Sequence, residues 1–188
     1  MEAIKITNLT KYYGKARGII DLTLCVGQGE FFGFIGPNGA GKSTTIRTLL
    51  GLIAASSGSA QILGMDIVKD QKIILQKVGY LPSEAAMYPG MRVKEVLKLS
   101  AELRHKDCSA EATLLCERLQ LNMAQKVEEL SFGNKKKVAI VCALQHDPEL
   151  LILDEPTAAL DPVAESEVYA LFGQISRGKS TIFITHRL

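Results

Sequence analysis

The 188-residue chain is long enough for one domain, or for one domain with a small additional lobe, since domains run to roughly 100–200 residues. Hydrophobic residues make up 47% of it and charged residues 22%, which excludes a disordered chain, a collagen-like repeat and a disulfide scaffold. Its 22 lysines and arginines nearly balance its 20 aspartates and glutamates, so a chain built around a basic nucleic-acid-binding surface is excluded as well.

Several short apolar segments predict β-strands of two kinds. Apolar and polar residues alternate at 4–7 and 22–26, as in half-buried antiparallel strands. Residues 31–35 are apolar without alternation, which is typical of a strand covered on both faces in a parallel sheet. Residues 150–153 and 182–184 show the same pattern. We therefore expect an antiparallel part near the N-terminus and a mostly parallel core sheet.

Apolar residues at helical spacing predict helices between these strands. The predicted helices cover residues 42–50, 93–101, 112–119, 138–144 and 164–175. The helix at 138–144 is apolar nearly all round, which indicates that it is buried. Because residues 84–130 look purely helical, we interpret them as a lobe inserted between two parts of one core, residues 1–83 and 131–188.

A glycine-rich segment between a predicted strand and a predicted helix has the pattern of a phosphate-binding loop. Residues 36–43, Gly-Pro-Asn-Gly-Ala-Gly-Lys-Ser, fit G-x-x-x-x-G-K-[ST]. Glycines let backbone N–H groups point inward around a phosphate, and Lys42 brings a positive charge to the β- and γ-phosphates. The Ser43 hydroxyl suits one Mg²⁺ position. The alternative, a glycine-rich turn that binds nothing, fits the strand-to-helix context less well.

Two acidic residues follow the buried strand predicted at 150–153. The first, Asp154, is well placed to hold Mg²⁺ directly or through water. The second, Glu155, is positioned to polarise an attacking water. An acidic pair at a strand end is ordinary by itself, but together with the phosphate loop it predicts a hydrolytic nucleotide site.

With these two segments placed, the sequence resembles the nucleotide-binding subunits of ATP-binding-cassette (ABC) transporters, with a hint of their exporter-like ABC-2 branch. Residues 130–134, Leu-Ser-Phe-Gly-Asn, resemble the signature motif, and residues 159–161, Ala-Leu-Asp, resemble the D-loop. His186 resembles the switch histidine and Tyr13 the aromatic residue that stacks on adenine. The resemblance implies an α/β fold of the P-loop NTPase type, with a mostly parallel core sheet, an N-terminal antiparallel β part and an inserted helical lobe.

The resemblance also implies an ATPase, with ATP and Mg²⁺ as cofactors, that works as a head-to-tail dimer. Each ATP would lie between the phosphate loop of one subunit and the signature motif of the other. Glu155 would be the catalytic carboxylate, assisted by Lys42, and His186 would sense the γ-phosphate. Ser43 and Asp154 would hold the metal. The residues that would contact the nucleotide are Tyr13, Gly36, Pro37, Asn38, Gly39, Ala40, Gly41, Lys42, Ser43, Thr44, Ser131, Gly133 and Asn134.

The sequence departs from the family pattern in three places. Ser83 stands where the family usually has a glutamine, and this shorter side chain would reach Mg²⁺ only through water; Glu84 is a possible substitute. Phe132 replaces a common glycine in the signature motif, at a position that varies within the family. The chain stops two residues after His186, so we expect a C-terminally truncated cassette with low stability or weak ATPase activity in isolation.

Two classes of function remain open. The first is the ATP-hydrolysing subunit of a membrane transporter, peripheral on the inner face of the cell membrane, with a second ATP-binding subunit and a separate transmembrane permease as partners. The longest uncharged stretch, residues 48–65, is too polar to span a bilayer, so the channel would come from the permease. The permease would dock on the lobe near residues 85–88, unless these residues pack internally.

The second class is a non-transport ATPase of the same fold that acts on nucleic acid or ribosomes. Balanced charge and the lack of a tandem cassette argue against it, and we expect no nucleic-acid partner. The lysines at positions 135, 136 and 137 are interpreted as a solvated helix face. A metabolic kinase with the same phosphate loop would leave residues 130–134 unexplained.

Overall fold

The structure, a computed structural model, describes residues 1–14, 16–84, 86–157, 160, 162–175 and 179–185. Within these residues the strands are β1 (Glu2–Tyr13), β2 (Ala16–Gly27), β3 (Phe31–Ile35), β4 (Ser57–Ile62), β5 (Met65–Asp66), β6 (Val78–Leu81), β7 (Leu150–Asp154) and β8 (Ser180–Thr185). The helices are α1 (Lys42–Leu49), α2 (Gln71–Lys77), α3 (Val93–Glu102), α4 (Ser109–Arg118), α5 (Phe132–Leu144) and α6 (Pro162–Ile175), with a 3₁₀ turn at Val127–Glu129.

The first sheet is antiparallel, with the strand order β2-β1-β4-β5. Along β1, Ile4 and Ile6 are buried while Lys5 between them is exposed. This alternation is the pattern that predicted half-buried antiparallel strands, and the prediction is confirmed.

The second sheet is parallel, with the order β3-β8-β7-β6. Strands β7 and β8 are largely buried, as their unbroken apolar sequences predicted. Strand β3 is different, because Phe31 is 59% and Ile35 53% exposed. The prediction that β3 is covered on both faces was therefore wrong. Within the part of the chain that the structure describes, this strand is at the edge of the sheet and pairs with β8 only, so fewer neighbours cover it.

Two hydrophobic clusters pack on opposite faces of β7. Leu150 and Ile152 belong to a cluster with α1 and the first sheet. Leu151 and Leu153 belong to a second cluster with α3, α4 and α5. Since successive side chains of a strand point to opposite faces, burial on both sides requires an unbroken apolar run. The carboxyl end of this doubly packed strand is Asp154.

Between β6 and α5 the described residues form α3, α4 and the 3₁₀ turn, with one isolated bridge between Arg92 and Lys126. These elements agree with a helical insertion, although the division at residues 83 and 130 stays a prediction. Among the described helices, none combines the length and the apolar character needed to cross a bilayer.

Helix α5 packs closely on the core sheet. Val138, Ile140 and Val141 are fully buried in it, which confirms the buried helix predicted here. On β6, a Cβ at Gly79 would lie 2.3 Å from the carbonyl oxygen of Ala143. Only glycine permits this approach, which holds α5 directly against the strand that leads into the lobe.

A buried histidine links the stability of the fold to pH. His146, just beyond α5, is 2% exposed, and its Nε2 lies 3.2 Å from the carbonyl oxygen of Val78. Burial, followed by the positive charge of Arg104, lowers the pKa of His146 from 6.5 to about 4. The ring is therefore neutral near pH 7, and its Nε2–H donates to Val78.

We expect the titration of His146 to lower the free energy of unfolding by about 1 kcal/mol when the pH falls from 7.5 to 5.5. Its folded pKa lies below its unfolded pKa, so the unfolded chain binds more protons across this range. The stabilisation is present above pH 6.5 and is lost as the pH falls towards 4. Urea unfolding at both pH values measures the effect. The His146→Gln variant should lose less stability over this interval, and an equal loss in both proteins would contradict the assignment.

Candidate functional site

The predicted phosphate loop joins the carboxyl end of β3 to the first turn of α1. Gly41 precedes the helix with a φ of 89°, a left-handed conformation that favours glycine. A Cβ at this position would lie 2.5 Å from Cγ2 of Ile19 and 2.6 Å from the carbonyl oxygen of Gly18. Glycine is therefore required both by the backbone conformation and by the close approach of β2. The N–H groups of the first turn of α1 are left to bind an anion.

The lysine of this loop is buried and held by the loop itself. Lys42 is 7% exposed, and its Nζ donates to the carbonyl oxygens of Gly36 at 2.5 Å and Pro37 at 3.0 Å. Its charge consequently stays at the loop. A phosphate bound there would meet this ammonium together with the backbone N–H groups.

Ser43 and Asp154 meet across the gap between α1 and β7. Asp154 is 3% exposed and accepts a hydrogen bond from the Ser43 side chain. Burial is the main cause that raises the pKa of Asp154, and the negative charge of Glu155 adds to it. The hydrogen bond from Ser43 and the positive charges of Lys136 and Arg47 act in the opposite direction. A hydroxyl and a carboxylate side by side are oxygen ligands of the kind Mg²⁺ prefers.

Glu155 has an unusual backbone conformation directly after β7. Its φ is 48°, a left-handed value that is uncommon for residues other than glycine. Its N–H donates to the carbonyl oxygen of Ile184 at 3.1 Å, which ties this peptide to β8. Such backbone strain concentrates at functional sites, and here it occurs at a partly buried residue that also lines the cavity at the phosphate loop.

The phosphate loop and the acidic pair line one cavity of about 300 Å³. The residues around it are Tyr13, Gly18, Asn38, Gly39, Ala40, Gly41, Lys42, Ser43, Thr44, Asp154 and Glu155. Gly36 and Pro37 do not line it and instead accept hydrogen bonds from Lys42. Tyr13 stands at the end of β1, 47% exposed, with the Lys11 ammonium 5.5 Å from its ring centre. A larger cavity of about 570 Å³ lies beside α3 and α4, but its lining contains none of the predicted site residues.

The predicted signature residues lie elsewhere, at the first turn of α5. The Ser131 hydroxyl accepts a hydrogen bond from the Asn134 N–H at 3.2 Å and caps the helix. Ser131 is exposed, and Gly133 and Asn134 are partly exposed. None of the three lines the cavity at the phosphate loop. The N-terminus of α5 is therefore accessible at the surface of the chain.

Three residues of the predicted motifs lie outside the described residues: Ala159, Asp161 and His186. The γ-phosphate sensor assigned to His186 stays a prediction.

Ser83 is partly buried and does not line the cavity, although its carbonyl oxygen accepts a hydrogen bond from Lys136 at 2.9 Å.

The interpretation of the lysine run as a solvated helix face was wrong. Lys136 is 1% exposed, and Lys135 and Lys137 are only partly exposed. The Lys137 ammonium donates to the carbonyl oxygen of Leu119 at 3.2 Å. The helical spacing could have indicated that Lys136 is buried, because Lys136 precedes the buried Ile140 by four residues and so lies on the same side of α5.

Sequence reasoning also missed Gly18, which lines the cavity at the phosphate loop but belongs to no recognisable motif.

The profile of a known family, described as "ABC transporter", matches residues 19–158. The chain belongs to the ABC transporter family. The match includes the phosphate loop, the signature turn and the acidic pair, so the resemblance stated from the sequence is confirmed.

Curated relatives in this family are ATP-binding subunits of transporters. The bacitracin transport ATP-binding protein BcrA of Bacillus licheniformis is 39% identical over 188 residues, which cover 98% of this chain and 61% of that protein. The Nod factor export ATP-binding protein I of Paraburkholderia xenovorans is 35% identical over 190 residues, which cover 98% of this chain and 62% of that protein. The chain thus spans about three fifths of the length of these relatives.

This chain has the same fold as a solved structure described as the ATP-binding subunit of an ABC transporter. The two superpose with a TM-score of 0.88 at 30% identity, covering 99% of this chain and 80% of the other. The expected α/β fold, with its parallel core sheet and antiparallel part, is confirmed.

Proposed function

We propose that this chain is the ATP-hydrolysing subunit of an ABC membrane transporter. The observation that supports this most directly is that the phosphate loop, the Ser43–Asp154 pair and Glu155 share one cavity. Transport and export in the names of its relatives favour this function over an ATPase that acts on nucleic acid or ribosomes.

ATP would bind with its phosphates at the loop and its base towards Tyr13. Lys42 and the N-terminus of α1 supply positive charge, and both lie at the same end of the cavity. Tyr13 offers a half-exposed ring at the edge of that cavity, which suits stacking on adenine.

The residues present fit a magnesium ion bound together with the nucleotide. Ser43 and Asp154 are adjacent oxygen donors. Among the described residues, no three His, Cys, Asp or Glu side chains form a cluster able to hold a metal by themselves. This suits an ion that takes few protein ligands and shares the oxygens of a phosphate. When bound, Mg²⁺ would neutralise charge on the β- and γ-phosphates.

Glu155 would orient and deprotonate the attacking water. It lies next to the proposed metal ligand and lines the phosphate cavity. Its backbone N–H is hydrogen-bonded to β8, which anchors the peptide that carries the carboxylate. A positioned carboxylate base of this kind contributes about 10²–10⁴-fold to a rate. His186 would then sense the γ-phosphate.

A second ATP-binding subunit would complete the site. The signature turn at Ser131 does not line the cavity of its own chain, yet it presents a capped helix N-terminus. Such a terminus attracts a phosphate. A head-to-tail pair would bring this turn to the γ-phosphate of the other subunit, with Ser131, Gly133 and Asn134 in contact with it.

The transmembrane permease would dock on an apolar groove where the lobe meets the core, and this would place the chain on the inner face of the membrane. The groove, of about 210 Å³, is lined by Tyr80, Pro82, Ala86, Met87, Tyr88, Val96, Leu99, Ser100, Leu103, Ala139 and Cys142. Tyr88 and Leu103 are 63% and 70% exposed there. Met87 packs against the second cluster, so part of the segment packs internally while its neighbours remain available to a partner.

Replacing Leu103 with glutamate tests the groove. A charge buried against an apolar partner should weaken binding at least tenfold, because an unpaired buried charge is costly. The measurement is co-purification with a transmembrane permease subunit produced together with this chain. Leu52→Glu is the matched control, since Leu52 is 57% exposed and lies outside the groove. Loss of the complex in both variants, or in neither, would argue against this docking site.

A further inference from the structure

A fully buried lysine lies behind the proposed hydrolysis site. Lys136 is 1% exposed, and its Nζ donates to the carbonyl oxygens of Pro82 and Ser83, both at 2.9 Å. Burying an ammonium is costly, and two carbonyl oxygens offset that cost only in part. Burial lowers the pKa of Lys136 to about 8, while the negative charges of Asp154 and Glu155 oppose that change. The amine thus remains mostly protonated at pH 7.

Three segments with separate proposed roles meet at this ammonium. The two carbonyl groups belong to the loop that leaves β6 for the helical lobe. Lys136 itself lies in α5, five residues after the capping Ser131 of the signature turn. The acidic pair at the end of β7 interacts with the same charge.

We propose that Lys136 is a positioning residue for ATP hydrolysis, which fixes the loop at Pro82 and Ser83 to helix α5 and whose buried positive charge interacts with the Asp154–Glu155 pair. This inference rests on the proposed function. Lys136 does not itself line the phosphate cavity, so it acts through the residues around it.

The two hydrogen bonds donated by Lys136 hold the loop at Pro82 and Ser83 to helix α5 through a single nitrogen atom. Adjacent carbonyl groups at 82 and 83 accept from one nitrogen, so a shift of the loop against α5 breaks both bonds together. A lobe moved by a partner would therefore carry its connecting loop and the signature turn as one unit. The side chain of Ser83 does not reach the cavity, and its backbone carbonyl, through Lys136, connects this loop to the acidic pair instead.

Lys136→Met tests the proposal, because methionine keeps the length and loses both the donors and the charge. We expect kcat for ATP to fall about tenfold while the dissociation constant for ATP changes less than twofold, since the phosphate loop is untouched. Hydrogen exchange, measured by mass spectrometry on the nucleotide-free protein, should become faster in the peptide covering residues 83–92. Lys135→Met is the matched control on the same helix and should change neither quantity.

An unchanged kcat and unchanged exchange in Lys136→Met would overturn the proposal, and so would equal effects in Lys135→Met. A loss of kcat in proportion to a loss of ATP-binding sites in both Lys136→Met and Lys136→Gln would also overturn it, because that pattern reports unfolding alone. If the methionine variant does not fold, the same two measurements on Lys136→Gln decide. Should the wild-type protein neither bind nor hydrolyse ATP, the proposed function fails, while the exchange experiment still decides whether Lys136 holds the loop.

Discussion

Lys42→Ala should lower ATP turnover at least 100-fold and weaken ATP binding about 10- to 150-fold. Removing a charged donor to a phosphate costs about 1.5–3 kcal/mol in binding, and the loss in the transition state is larger because charge develops on the transferred group. Phosphate release measures turnover, and titration with a fluorescent ATP analogue measures binding. The fold should persist, since Lys42 bonds only to its own loop carbonyls among the described contacts.

Lys98→Ala is a suitable control for this experiment. Lys98 lies on α3, where it forms an exposed pair with Glu102 at 3.7 Å, and such pairs contribute little. Turnover should stay near the wild-type value in this variant. Full turnover in Lys42→Ala would contradict the role in ATP hydrolysis that is proposed for the phosphate loop.

Glu155→Gln should reduce hydrolysis by about 10²–10⁴-fold and leave ATP binding intact. The carboxamide has nearly the same shape as the carboxylate but cannot take a proton from water. It also tolerates the left-handed backbone no worse than glutamate does, so the local structure should remain. Because ATP then persists between two subunits, size-exclusion chromatography should show a dimer that requires ATP and disappears without it.

Gly133→Asp in the Glu155→Gln background separates dimer closure from simple ATP binding. A Cβ at Gly133 would lie 3.5 Å from Cδ2 of Leu160, which is ordinary contact, so the monomer should fold normally. The new carboxylate would face the γ-phosphate of the opposite subunit and repel it. We expect ATP binding without a dimer. A dimer that forms equally well in this double variant would refute the role given to the signature turn.

The core of the fold and the phosphate site were predictable because their chemistry depends on local sequence. An unbroken apolar run such as residues 150–153 has to be buried on both faces, and β7 is. The glycines and Lys42 belong to one continuous loop, so their pattern can be recognised in the sequence. The structure has this loop between β3 and α1, as predicted. That Ser43 and Asp154 share a hydrogen bond follows from their positions at the N-terminus of a helix and the end of a neighbouring strand.

Other features depended on contacts between distant segments. Strand β4 has the polar sequence Ser-Gly-Ser-Ala-Gln-Ile, and it is a strand because β1 pairs with it. Helix α2 is only seven residues long, and its sequence periodicity is too short to detect. Lys136 looked solvated because charged residues usually are, and the carbonyl groups that accept its hydrogen bonds belong to a loop more than 50 residues away.

The double packing of β7 has a consequence for how tightly the reacting groups are held. Any local opening that displaced Leu150–Asp154 would expose side chains from both hydrophobic clusters to water at once. We therefore expect the peptide that carries Asp154 and Glu155 to be among the segments best protected from local opening. Because that strand belongs to both hydrophobic clusters, displacing the acidic pair would disturb the core on both sides of the parallel sheet.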